Sequence, residues 1–83
     1  MEKIPVSVVV IAKNEEEHIA ECVKSASWSD DVLVVDDFSS DRTAELAKSG
    51  GARVIQRKMD IEGRHRNVAY SQAKNDWVLS LDA

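Results

Sequence analysis

The stretch VLVVDDFSSDRTAE, Val32 to Glu45, is the strongest constraint on what this chain can fold into. Val32, Leu33, Val34 and Val35 form an uninterrupted, largely β-branched apolar run, the pattern of a strand buried on both faces in a parallel sheet. Two adjacent carboxylates, Asp36 and Asp37, fall at its carboxyl end. Ser39, Ser40 and Asp41 have short side chains suited to capping free backbone N–H groups, and Arg42 to Lys48 has helix-forming composition. Strand, polar turn and helix follow in that order. In open α/β sheets, ligands bind in the crevice at the carboxyl ends of the strands, so the turn after Val35 is a candidate site.

The flanking segments repeat this grammar. Val6 to Ile11 predicts a first strand, with Pro5 where no ladder N–H is needed. NEEEHIAECVKSA predicts a helix with Asn14 as N-cap and Glu15 to Glu17 in its first turn. Glu17 would complete a capping box, and Ile19, Cys22, Val23 and Ala26 would form the buried face. Gly50 and Gly51 stop the second helix. Ala52 to Gln56 is a short third strand, followed by a charged loop from Arg57 to Gly63. A third helix is expected over about 64–74, turning Val68, Ala69, Gln72 and Ala73 to the sheet. Trp77 to Leu81, ending at Asp82, reads as a buried fourth strand. The order β-α-β-α-β-α-β predicts a three-layer α/β fold with a parallel sheet. Lys13 to Glu15, Asp36 to Ser40, Gln56 to Arg66 and Asp82 then share one edge. Carboxylates gathered there suit a cation, a sugar diol or a base N–H, and Arg64 and Arg66 could hold a phosphate.

Composition narrows the classes. At 83 residues the chain is short for a domain, which usually runs about 100–150 residues, and it reads as one truncated domain ending in mid-motif. Eleven Lys and Arg against 15 Asp and Glu, with no basic cluster, argue against nucleic acid as the main partner. A single cysteine, Cys22, excludes an internal disulfide and reads as core. His18 and His65 lack metal-ligand spacing with each other or with Cys22, and Trp28 and Trp77 read as covers of hydrophobic edges. No run approaches the ~18 apolar residues of a membrane span, and the start lacks a secretory pattern. The expectation is a cytoplasmic protein, which could reach the cytoplasmic face of a membrane through a part outside this chain.

Four segments in order, VSVVVIAKNEEEHI, VLVVDDFSSDRTAE, GARVI and RNVAYSQAKNDWVLSLDA, resemble the nucleotide-sugar-binding N-terminal half of family 2 glycosyltransferases. These have the GT-A fold, whose nucleotide-binding half is Rossmann-like. Strand plus DDxSxDxT is the most specific feature. The last segment looks like the approach to the family's DxD motif, with Asp82 its first aspartate and Ala83 its middle residue. NDWVLSLDA is most similar to bacterial enzymes that glycosylate lipopolysaccharide cores.

The resemblance implies a hexosyltransferase-type enzyme of cell-envelope polysaccharide synthesis, dependent on Mg2+ or Mn2+. It would move a sugar from a nucleotide diphosphate donor, a UDP-sugar, to a hydroxyl of a saccharide or lipid-linked glycan. Asp37 would accept the N3–H of uracil, the ring's good donor. Ile11, Lys13 and Glu15 would line base and ribose, although members often carry an aromatic residue where Lys13 stands. Asp36 would belong to the same site, ordering its loop. Arg66 matches a basic position near the diphosphate, and Asp82 would contact ribose and metal. No residue matches the carboxylate that deprotonates the acceptor in inverting members, so residues 1–83 alone are expected to be inactive and, with apolar sheet exposed, to self-associate.

Two other classes stand beside this one. A signalling receiver domain also pairs acidic residues at strand ends, but after the first strand, and here no lysine closes the pattern. A nucleotide-binding or regulatory module without catalysis fits the same motifs. A dinucleotide-binding domain would need G-x-G-x-x-G after the first strand, where this chain has none.

Overall fold

The computed structural model describes residues 2–58 and 70–82. Among the described residues the main elements are, in order, β1 (Ile4–Ala12), α1 (Ile19–Ser25), β2 (Ser29–Asp36), α2 (Thr43–Ser49), β3 (Arg53–Gln56) and β4 (Val78–Asp82). The strands form one sheet in the order β3-β2-β1-β4, and every adjacent pair is parallel. The predicted strands are all present. β1 and β2 begin earlier than the apolar runs suggested, because Ile4 and Ser29 pair below them.

Alternation along the strands divides the core. Val8, Val10, Ala12 and Val34 face α1 and α2 and pack with Ile19, Val23, Ala26 and Ala47. Val9, Leu33 and Val35 face the other way, with Ile11, Ile55 and Val78 beside them. The buried stripe of α1 is the one its spacing predicts, Cys22 being half-buried at its margin. Burial pushes the Cys22 thiol pKa up, as for a packed side chain. Gly51, at φ 98, takes the left-handed turn that releases α2 into β3.

Three expectations need correction. The first is the start of α1, which lies at Ile19, not after an Asn14 cap, and whose N-cap position, His18, makes no side-chain capping bond. The reason is in the loop, where other groups already take the free N–H groups of Glu15 and Glu16. The second is β4, which is an edge strand with Leu79 exposed and Trp77 77% exposed, so this tryptophan covers no edge. The third is Gln72, which is exposed. Of the third helix, residues 70–72 are helical, and the positions up to 69 lie outside the described residues. Among the described residues no helix is long and apolar enough to cross a membrane.

One buried carboxylate fixes β4 against the other strands. Asp31, only 5% exposed, accepts from the Ser7 hydroxyl at 2.7 Å, from Arg53 Nε and Nη2 at 3.0 and 3.1 Å, and from the Lys74 N–H at 2.8 Å. Arg53 also donates to the Gln72 carbonyl, and Asn75 donates to Ser7 Oγ and to Asp30. Burial raises the Asp31 pKa, but the Lys74 N–H, Arg53 and Ser7 outweigh it, so the carboxyl sits below its ordinary value.

A depressed folded pKa means stability that is present above the unfolded value, near 4, and lost as pH falls through the folded one. Asp31→Asn should therefore cost about 3 kcal/mol near neutral pH in urea unfolding, and should flatten the loss of stability below pH 4. An unchanged acid limb in the variant would contradict this account.

Candidate functional site

The carboxyl edge of the sheet is level across three strands. Ala12 of β1 pairs with Asp36 of β2, and Asp36 with Gln56 of β3. The ladder extends one step beyond, with the Asp37 N–H donating to the Ala12 carbonyl and the Arg57 N–H to the Asp36 carbonyl. Ile11 pairs with Asp82, which brings the end of β4 to the same edge. The chain runs from β1 through β2 to β3 on one side and returns to β4 on the other, so the order switches between β1 and β4. Such a switch point is where open α/β sheets bind ligands.

The two loops leaving β1 and β2 hold each other. The Asn14 N–H donates to Ser39 Oγ at 2.8 Å, and Asn14 Oδ1 accepts the Ser40 N–H at 2.8 Å. The Glu15 N–H donates to Thr43 Oγ1 at 2.8 Å and the Glu16 N–H to Asp41 at 3.2 Å, while Glu16 accepts the Arg42 N–H at 3.2 Å. Asp41 also takes the N–H and hydroxyl of Thr43. The Thr43 hydroxyl bond, with these two N–H groups, outweighs desolvation and holds the Asp41 carboxyl below its ordinary pKa. Asn14 adopts φ 51, a left-handed conformation that asparagine tolerates better than most residues.

The two aspartates separate into different tasks. Asp36 is wholly buried, accepting the Ser39 N–H at 3.1 Å, the Ser39 hydroxyl and the Gln56 amide at 3.4 Å. It is a loop anchor withdrawn from solvent, the loop-ordering role expected of it. Asp37 keeps 15% of its side chain exposed and lies 3.7 Å from the ammonium of Lys13, itself 61% exposed. Lys13, Asp37 and the half-buried Ile11 are thus gathered at one place. Glu15 belongs to the same loop, but its carboxylate pairs with His18 at 3.3 Å instead of facing Lys13. Arg64 and Arg66 lie outside the described residues. Among the described residues no cluster of three or more His, Cys, Asp or Glu is close enough to hold a metal by itself.

Sequence reading missed the bridging roles of Asn14, Thr43 and Gln56 and the left-handed Phe38, φ 44, between Asp37 and Ser39. An Asn in the turn just past a predicted strand is a signal for a left-handed conformation, but the same residue suits a helix cap. Nothing in the sequence distinguishes the two before the neighbouring loop is in place.

With this geometry in hand, comparison with known proteins identifies the family. The profile of "Glycosyl transferase family 2" matches residues 7–83. This chain belongs to glycosyltransferase family 2. An uncharacterized glycosyltransferase of Rickettsia typhi is 40% identical over 79 residues, covering 94% of this chain and 27% of that protein. The 4,4'-diaponeurosporenoate glycosyltransferase of Staphylococcus haemolyticus is 36% identical over 76 residues, covering 88% of this chain and 17% of its own length. Glucosyl-3-phosphoglycerate synthase of Mycobacterium tuberculosis, in complex with Mn2+, UDP-glucose and phosphoglyceric acid, superimposes with TM-score 0.80 at 28% identity, over 94% of this chain and 32% of that one. The same enzyme with Mg2+ and UDP gives TM-score 0.81 at 27% identity. The family 2 chain therefore shares the Rossmann-like GT-A architecture of the mycobacterial synthase and spans from 17% to 32% of the length of these proteins.

The seam between the loops makes a test. Asn14→Ala removes the acceptor for Ser40 and places alanine at positive φ, which should lower stability by about 1–2 kcal/mol. Amide exchange at Ser40 should accelerate while Val9 and Val34 in the sheet stay protected. Equal exchange at Ser40 in both proteins would show that the seam carries no free energy.

Proposed function

We propose that residues 1–83 form the donor-binding part of a glycosyltransferase that moves a sugar from a UDP-sugar to an acceptor hydroxyl. The observation that carries this reading is the partly exposed Asp37 carboxylate beside Lys13, at the carboxyl edge where the strand order switches. A carboxylate there takes the N3–H of a uracil, the ring's good donor. The UDP and UDP-glucose complexes of the mycobacterial synthase support the same choice of donor.

Each remaining residue has a place in this reading. Ile11, Lys13 and Glu15 border base and ribose. Asp36 acts through the loop it anchors. Arg66 is assigned to the diphosphate. Asp82, at the end of β4, is assigned to ribose and to a divalent metal.

The chemistry of the residues fits such an ion. A hard cation prefers oxygen, and Mg2+ is commonly held by one or two protein carboxylates together with substrate phosphates. When bound it would neutralise charge developing on the leaving diphosphate. The chain's own part is to hold the nucleotide, and no group among these assigned residues is placed to deprotonate an acceptor. We therefore expect residues 1–83 by themselves to bind nucleotide weakly and to transfer no sugar. The acceptor class we favour is a saccharide or lipid-linked glycan of the bacterial envelope, on the likeness of NDWVLSLDA to lipopolysaccharide core enzymes.

Asp37→Ala should weaken UDP binding by about 1.5–3 kcal/mol, the worth of a hydrogen bond to a charged group. Titration by calorimetry or NMR reads this directly. Equal UDP affinity in wild type and variant would remove Asp37 from the base site.

A further inference from the structure

Phe38 stands between Asp37 and Ser39 in the left-handed region, φ 44, with 59% of its surface exposed. Both features are unfavourable. A side chain in that region crowds the following carbonyl, and an exposed ring forgoes burial. Glycine would hold the turn without the first cost, and asparagine with less of it.

The ring is not there through looseness of the chain. Its neighbours are fixed on both sides, by the Asp37 N–H on the Ala12 carbonyl and the Ser39 N–H on the buried Asp36 carboxylate. Neither core cluster includes it.

The surroundings narrow what it could meet. Ile4, Trp28, Trp77 and Leu79, other large apolar side chains that are exposed, lie at or near the amino-terminal ends of their strands, and the exposed Tyr70 lies in the helical turn that leads to β4. Phe38 lies at the carboxyl edge, apart from them, so it is not part of the broad apolar patch that a protein or membrane partner engages. An exposed ring on the residue that follows Asp37 matches a planar heterocycle, which offers a flat face to one and an N–H edge to the other.

We propose that Phe38 contacts the nucleobase, supplying the apolar face on which the base of the nucleotide donor rests. The proposal depends on the reading that Asp37 takes the base edge, and it assigns the strained conformation to presenting the ring at the crevice.

The test titrates UDP, uridine and inorganic diphosphate into wild type, Phe38→Gly, Phe38→Tyr and Asp37→Ala, following amide shifts by NMR. Phe38→Gly should raise the thermal midpoint by relieving strain, weaken uridine and UDP about tenfold, and leave diphosphate unchanged. Phe38→Tyr should keep wild-type affinity. Phe38→Asn, which also accepts the left-handed region, should weaken uridine in the same way, and it replaces the glycine variant if that one loosens the turn. Unchanged uridine affinity in the glycine or asparagine variant, with loss in Asp37→Ala, overturns the role of Phe38 and leaves the donor site standing. A wild-type chain that binds neither UDP nor uridine overturns both.

Discussion

Backbone N–H groups that leave a parallel sheet at its carboxyl edge have lost their ladder partners and must find new ones in the loops or in water. Here the loops after β1 and β2 satisfy one another. Side chains of Asn14, Ser39, Asp41 and Thr43 accept N–H groups from the opposite loop, and Asp36 closes the second loop on itself from inside. Because the bonds cross between loops, neither can shift alone. This coupling fixes where Lys13 and Asp37 stand, and hence what kind of ligand the crevice can take.

The opposite edge solves a different problem. β4 is added to the sheet across a long sequence separation, and its register against β1 decides where Asp82 ends. The Asp31 carboxylate collects Ser7 of β1, Arg53 of β3 and the turn at Lys74, so one buried charge ties three strands and the approach to β4. Burying a charge is tolerable because it is paired and saturated with donors. The candidate site at the carboxyl edge thus rests on a structural anchor at the far end of the same strands.

Much of this was legible in the sequence because it depends on local pattern. Val32 to Val35 could only be a buried strand, the stripe Ile19, Cys22, Val23 and Ala26 could only face a sheet, and strand ends then placed Lys13, Asp37 and Asp82 together. What failed depends on partners distant in sequence. Asn14 has the composition of a helix cap, and its bridging role exists only once Ser40 lies opposite. The loop-ordering role of Asp36 was legible from its own turn, but its second partner, Gln56 of β3, appears only when the sheet is assembled. Trp77 read as buried because its neighbours are apolar, whereas the strand order puts β4 at an edge.

The most direct measurement of the account is a map of backbone amide shifts in the 15N-labelled chain as UDP is added. The account predicts that residues 12–15, 36–40 and 82, at the carboxyl edge, move together with a single affinity, while Ser7, Asp31 and Asn75 at the amino edge stay in place. Shifts centred on the amino edge, or no shifts at millimolar UDP, would contradict it.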